Sequence, residues 1–322
     1  MRAITITEFG SPEVLVFTEQ PDPRPGPGEV LIDVAATAVN RADLLQRQGR
    51  YPPPPGASEV LGLECSGVVA ELGEGVAGVA VGNEVCALLA GGGYAERVTV
   101  PAAQLMPLPP GIDLVTAGGV PEVACTVWST VVRHARLAAG ELLLVHGGSG
   151  GIGTHAIQVG AALGAQVAVT AAGERLAVCA ELGAQILIDY RNQDFAAELN
   201  GRADVILDNM GATYLSRNLR ALAPDGRLVV IGLQGGTTTD INLGAMLPKR
   251  ASIAAIGLRG RPVDGPHGKG ALCADIVTRL WPLFATAQIK PIVHAVLPLS
   301  EADQAHRMLE AGGIIGKLLL TP

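Results

Sequence analysis

Six short apolar runs constrain this 322-residue chain more than any other feature. They are residues 142–146 (LLLVH), 166–170 (QVAVT), 186–188 (ILI), 204–208 (DVILD), 227–231 (RLVVI) and 252–256 (SIAAI), and their starts lie 24, 20, 18, 23 and 25 residues apart. Stretches of helical character, such as THAIQVGAALG and ERLAVCAELG, separate the earlier ones. Short strands that are apolar on both faces and alternate with helices belong to a parallel sheet covered on each side. Six of them predict a doubly wound α/β fold of the dinucleotide-binding type over residues 122–261.

The length suits two domains, and the N-terminal third follows a different grammar. Residues 1–8 and 30–36 have β-type patterning, joined through the Pro/Gly connector PDPRPGPGE. Residues 67–85 (GVVAELGEGVAGVAVGNEV) set short apolar runs between repeated glycines, which predicts a compact β-barrel-like unit. The four prolines at 52–55 fit neither helix nor central strand and predict a stiff surface loop. A long amphipathic stretch near 269–288 and strands near 291–298 and 316–320 follow the α/β series. These are expected to rejoin the first domain, which then comprises 1–121 and 262–322.

Directly after the first buried run comes His146-Gly147-Gly148-Ser149-Gly150-Gly151-Ile152-Gly153, with a helical stretch behind it. Gly148, Gly150 and Gly153 match G-x-G-x-x-G, in which the glycines allow a tight turn, approach of backbone amides to a pyrophosphate, and helix–strand packing. The same residues also spell Gly147-x-Ser149-x-Gly151, the nucleophile elbow of an α/β-hydrolase, and Asp208 with His294 or His306 satisfies the chain order of a triad. Two arguments favour the dinucleotide. The β-α series begins at this strand rather than containing it, and the additional glycines suit phosphate more than a strained serine. At the end of the second run, Val169-Thr170-Ala171-Ala172-Gly173 carries no acid until Glu174, with Arg175 beside it. A carboxylate there would accept the ribose hydroxyls of NAD, whereas Arg175 pairs with a 2′-phosphate, so NADPH is the expected cofactor.

Other chemistries are missing. None of Tyr51, Tyr94, Tyr190 and Tyr214 is followed four residues later by lysine, so the Tyr-Lys pair of short-chain dehydrogenases is absent. The six histidines form no HExxH or HxxxH pair, and the five cysteines form no CxxC, so no local metal motif is encoded. His146 ends a buried strand and His155 lies on a buried helix, which predicts hydrogen-bonded core residues. The formal charge of −7, with no basic block, argues against nucleic acid and anionic membranes as partners. The uncharged run 151–173 contains five glycines and changes period midway, so a buried helix and strand are expected there rather than a membrane span. With no signal-peptide pattern at the N-terminus, a cytoplasmic protein is expected.

Asn40-Arg41-Ala42-Asp43, Gly49-Arg50-Tyr51, Leu61-Gly62-Leu63-Glu64-Cys65-Ser66-Gly67, the glycine loop, Asp208-Asn209-Met210-Gly211 and Gly316-Lys317 occur in one order along essentially the whole chain. In this combination the chain resembles the medium-chain dehydrogenase/reductase superfamily, most closely its quinone oxidoreductase branch, to which zeta-crystallin belongs. The resemblance implies a GroES-like, mostly β catalytic domain beside the doubly wound parallel Rossmann sheet, hydride transfer in a cleft between them, and a homodimer. Zinc-dependent relatives carry Cys where Asn40 stands and His where Leu63 stands, and their cysteine-rich structural-zinc lobe has no counterpart at 87–105. A metal-free route is therefore implied, and quinones or activated enones suit it because they spread the arriving charge over their own oxygen.

On the same resemblance, Asn40 and Tyr51 line the site, orienting cofactor and acceptor, and Tyr51 either polarises a carbonyl or only contacts ribose and packs its loop. Gly148, Ser149, Gly150, Gly151, Ile152, Gly153, Ala171, Arg175, Tyr190, Asn209, Gly232, Leu233, Leu258 and Lys317 match positions near the cofactor. Two alternatives stay open. One is an enoyl-thioester or enone reductase of the same fold, for which Arg259, Arg261 and Lys269 are sparse candidates to meet a CoA phosphate. The other is an NADPH-binding protein without physiological turnover.

Overall fold

The computed structural model describes all residues, 1–322. The chain forms two compact units, Met1–Cys125 with Leu258–Ala287 and Pro291–Pro322, and Thr126–Gly257 with Gln288–Lys290.

The second unit is built on a six-stranded, wholly parallel sheet. In chain order its strands are Leu142–His146, Gln166–Ala171, Ile186–Asp189, Ala203–Asp208, Leu222–Val230 and Ser252–Ala255, and across the sheet they run third, second, first, fourth, fifth, sixth. The order reverses beside the first strand, and in sheets of this kind ligands gather at the carboxyl ends of the strands at such a reversal. Five of the six runs read from the sequence begin and end within a residue of the observed strands. The fifth extends back to Leu222, because a register irregularity between Ala203 and Val205 lets the strand pair further toward its N-terminus. The uncharged run 151–173 resolves into helix Gly151–Ala162 and the second strand. No helix of the chain is long and apolar enough to cross a membrane.

The first unit is mostly β. Strands Val293–Pro298, Lys317–Thr321, Glu29–Ala38, Glu64–Leu72, Glu84–Leu88 and Leu105–Pro107 lie side by side in that order, and Arg97–Pro101 pairs with Glu29–Ala38. Arg2–Ile6 pairs with Leu15–Glu19 in a separate antiparallel ribbon, and the second of these strands has no precedent in the sequence reading. Helices Lys269–Arg279 and Ala302–Ala311 belong to this unit. One of its cores gathers Val30, Ile32, Cys65, Val69, Val85 and Val98 from facing strands, and another packs Leu44, Leu61, Tyr94, Leu299 and Leu320.

Candidate functional site

In the second unit the glycine loop follows strand Leu142–His146 and leads into helix Gly151–Ala162. A Cβ on Gly153 would stand 2.2 Å from the Gly147 carbonyl oxygen, so only glycine lets the helix start this close to the strand. A Cβ on Gly150 would meet nothing within 4 Å except that same oxygen, at 3.5 Å. The space over Gly150 is therefore open. No side chain caps the helix, which leaves first-turn amides and the positive end of the macrodipole for an external anion.

The loop is held from below. Gly148 N donates to Thr170 O (3.0 Å), and His146 bridges Thr170 Oγ1 (3.0 Å) and Asn218 Oδ1 (2.8 Å). Asn218 Nδ2 donates to Asp208 Oδ2 (3.1 Å), so its Oδ1 accepts and His146 carries its proton on Nε2. Burial pushes the His146 pKa down to about 4, so this ring is neutral and structural, as the sequence predicts. Burial raises Asp208 to about 6, against the amides of Met210 (2.7 Å) and Gly211 (3.1 Å) and the Asn218 amide, which all favour its charge. The turn tied to Asp208 presents Asn209, whose Oδ1 is buried without a hydrogen-bond partner. An orphaned acceptor beside an open glycine loop fits a ligand that donates hydrogen bonds, as a dinucleotide does.

Ala171 ends the second strand, Arg175 follows four residues on, and Tyr190 follows the third strand. Ala171 is in register with Asp189, and Tyr190 N donates to Ala171 O (3.3 Å). Glu174 is paired with Arg191 (3.0 Å) and more loosely with Arg175 (3.7 Å). Arg191, which the sequence reading did not single out, answers the acid that stood against a 2′-phosphate. Gly232 packs beneath Asn209, where a Cβ would lie 2.9 Å from its carbonyl, and Leu233 is exposed.

Asn40, Tyr51, Leu258 and Lys317 all belong to the first unit, and there the structure brings Asn40 and Lys317 together. Lys317 Nζ donates to Asn40 Oδ1 and to Glu64 Oε1, both at 2.7 Å, and Asn40 Nδ2 donates to Glu64 Oε1 at 2.9 Å. The amide orientation follows from chemistry, since lysine only donates and carboxylate only accepts. Glu64 Oε2 accepts from Glu122 N (2.9 Å). Glu64 is fully buried and Lys317 is 7% exposed, so each charge depends on the other.

Asn40 also stands at the head of helix Arg41–Arg47, where its backbone N–H donates to Asp43 Oδ2 (2.7 Å). Behind Asp43 runs a buried chain. Arg47 can only donate to His306 Nδ1 (3.2 Å), which puts the proton on Nε2 toward Tyr94 Oη (3.1 Å), and Tyr94 donates to Asp43 (3.3 Å). Burial raises Asp43 to about 6, despite the amides of Asn40 and Gly62.

Tyr51 is not bonded to Asn40. Arg259 holds its loop by donating to Tyr51 O (3.3 Å), Gln46 Oε1 (2.8 Å) and Ala90 O (2.7 Å), with the guanidinium 5.4 Å from the Tyr51 ring centre. The phenol makes no hydrogen bond. Its pKa is raised by burial and further by Glu122, while Arg259 works against both. Leu258 is buried.

The hydrolase alternative is not realised. Asp208 is spent on the Asn209 turn, and His306 has both nitrogens engaged by Arg47 and Tyr94. His294 Nδ1 accepts from Ile315 N (3.4 Å). No group of three or more His, Cys, Asp and Glu side chains is placed to hold a metal ion. Glu64 and Glu122 were missed as site residues. A carboxylate inside the apolar run Leu61–Leu63, Cys65 was the available signal, because a fully buried acid requires a cation.

Fold and site together define a dinucleotide-binding oxidoreductase with a separate β unit. Residues 26–110 match the alcohol dehydrogenase GroES-like domain, and residues 182–320 match a family described as zinc-binding dehydrogenase. The synaptic vesicle membrane protein VAT-1 homolog of Rattus norvegicus is 31% identical over 100% of this chain and 84% of its own length. The quinone oxidoreductase of the same organism is 29% identical, covering 99% of this chain and 97% of its own. The crystal structure of Escherichia coli quinone oxidoreductase complexed with NADPH superposes with a TM-score of 0.89 at 28% identity, over the full length of both chains. The chain belongs to the medium-chain dehydrogenase/reductase family.

Proposed function

We propose that this protein is an NADPH-dependent reductase that passes hydride directly to a quinone or activated enone without a metal ion. The observation that carries this reading is the Glu64–Lys317–Asn40 cluster. Where zinc-dependent relatives offer thiolate and imidazole, this chain offers an amide and a leucine, and the remaining carboxylate is already satisfied by an internal ammonium. An ion pair of this kind leaves no ligand set for a Lewis acid. The names of the rat and Escherichia coli relatives support the acceptor class, and the latter's title supports the cofactor.

When bound, NADPH supplies a hydride, and a quinone takes that hydride and one proton to become a hydroquinone. The open loop over Gly150 would receive the pyrophosphate, the Asn209 Oδ1 a donor of the cofactor, and Arg175 with Arg191 the 2′-phosphate. In the first unit, Asn40 is fixed on one side by Lys317 and Glu64 and on the other by Asp43, so it presents a pre-oriented amide. The unbonded Tyr51 hydroxyl, kept protonated by its raised pKa, would donate to an acceptor carbonyl. Family resemblance further supports a homodimer.

The test is the initial rate of NADPH absorbance loss with a small ortho-quinone, run beside NADH and an enoyl thioester. Fast, NADPH-preferring quinone turnover is expected. Tyr51→Phe should lower kcat about ten-fold or more while the KM for NADPH stays within two-fold. Turnover of the enoyl thioester alone would overturn the acceptor, and tight NADPH binding without turnover would leave a binding protein.

A further inference from the structure

The first unit contains a cleft of about 510 Å³, walled by the 54–58 loop, the 89–92 turn, strand Arg97–Pro101 and the 259–263 segment. Its lining carries Arg97, Arg259, Arg261 and Lys269, and a single carboxylate, Glu29, whose oxygen accepts from Gly26 N (3.0 Å). This is a cationic wall in a chain of net charge −7.

Lys269 is the unusual member. Its stem is buried, leaving the residue 4% exposed, and its ammonium, which has no protein partner, opens to the cleft rather than being enclosed. It stands at the start of helix Lys269–Arg279, but the amides there are already used, Lys269 N by Pro262 O (2.9 Å) and Gly270 N by Val263 O (3.0 Å). The helix end therefore does not explain the side chain. Arg259, 5% exposed, spends three N–H groups on Ala90, Tyr51 and Gln46 and keeps the rest of its five. Arg97, by contrast, is committed to Asp33 and Asp22.

An ammonium that opens into a concave, partly desolvated cleft with no protein acceptor can take an anion there, and the pair is stronger than on an open surface. Burial lowers the pKa of Lys269, while Glu122 acts in the opposite sense from a distance. An anion in the cleft would do what Glu122 does, but in contact.

We propose that this cleft binds an anionic group carried by the electron acceptor, a phosphate or a carboxylate-like acid, with Lys269 as the ion-pair partner and Arg259 as a second donor. The inference rests on the first unit being the acceptor-binding unit, as proposed above, and it narrows the substrate class to acceptors with an acidic tail. Arg259 links the cleft to Tyr51, since one guanidinium borders the first and holds the loop of the second.

The experiment compares 1,2-naphthoquinone with its 4-sulfonate, and a CoA enoyl thioester with the phosphate-free N-acetylcysteamine thioester, in the full-length protein and in Lys269→Gln and Lys269→Arg. Pyrophosphate is also titrated by calorimetry into protein saturated with NADP⁺, so that the dinucleotide site is already filled. In Lys269→Gln the KM ratio of anionic to neutral acceptor should rise about ten-fold and pyrophosphate should bind about ten-fold more weakly. Lys269→Arg should restore both toward the wild-type values. A shift confined to the CoA pair assigns the group as phosphate, and one confined to the quinone pair assigns it as an acid on the acceptor itself. Unchanged ratios and unchanged pyrophosphate binding, with quinone turnover intact, would overturn the cleft and leave the proposed function standing. Pyrophosphate binding lost in Lys269→Gln, in a protein that reduces neither quinone, would keep the cleft and overturn the function.

Discussion

Lys317 and Glu64 are separated by 253 residues in sequence and by 2.7 Å in space, and neither can be removed alone without stranding the other. A buried charge left without its partner costs about 3–5 kcal/mol. Lys317→Ala is therefore expected to lower unfolding free energy by about that amount in urea melts, and Glu64→Gln by somewhat less, because the amide still accepts. The double variant Glu64→Gln/Lys317→Met should recover most of the loss. Additive losses would show that the pair is not a unit. At this scale the sequence was legible where the chemistry is local. Gly150, Gly153 and the acid-free end of the second strand were read from their neighbours alone. Lys317 was not readable as a buried charge, because a lysine in sequence looks like a solvated one until the fold encloses it. Arg47 is the same case, reading as a surface helix residue and emerging 1% exposed against His306.

Elements were legible where their residues form an unbroken apolar run, whether or not that run ends up buried. The central parallel strands are apolar on both faces, and even the edge strand Ser252–Ala255, with no fully buried residue, keeps a short apolar run between Arg250 and Gly257. Strand Leu15–Glu19 has a largely exposed partner-facing ribbon, with only Leu15 buried, and its pattern does not separate it from a loop. The parallel pairing of Val293–Pro298 with Lys317–Thr321 was equally invisible, since it depends on helix Ala302–Ala311 crossing between them. The glycine loop offers a test of whether element geometry or ligand space constrains each position. Gly153→Ala places a methyl 2.2 Å from a carbonyl oxygen and is expected to destabilise the second unit by several kcal/mol or leave the protein insoluble. Gly150→Ala should cost no more than about 1 kcal/mol, the scale of an exchanged N-cap residue, because its φ of −76° suits alanine and the space is empty. The same methyl should weaken NADPH binding at least ten-fold by fluorescence titration. Gly150→Ala with unaltered affinity would mean that the pyrophosphate lies elsewhere.

For the whole molecule, buried titrating groups set how stability depends on pH. His146 and His155 are held near 4 and His306 near 3, against an ordinary value of 6.5. Asp43 and Asp208 are raised to about 6 from 3.8. Between about pH 4 and 6 the unfolded chain binds protons at the three histidines, and the folded chain binds them at the two aspartates. The difference of one proton favours unfolding as pH falls, by about 1.4 kcal/mol per pH unit. Exposed carboxylates with lowered pKa values act in the same direction at lower pH, among them Glu13, held down by Ser11 and Arg307, and Asp22, held down by the N-terminal ammonium and Arg97. Thermal melts are expected to show Tm falling steadily from pH 6.5 to 4.5, and a maximum near pH 5 would mean that the aspartates outweigh the histidines.

The last whole-molecule feature is the free side of strand Ser252–Ala255, which ends the parallel sheet. An open edge invites a further strand, and the segment before it exposes Leu243 and Leu247 at 64% and 77%. A second copy offers both an edge strand and an apolar surface to cover these leucines, and a two-fold axis makes each patch its own complement. On that proposal, light scattering should give twice the monomer mass. Leu243→Glu/Leu247→Glu should give the monomer with the second unit still folded, because both side chains stand outside its core. A monomeric wild-type protein at micromolar concentration would refute the pairing and leave the edge to be protected by its shortness alone.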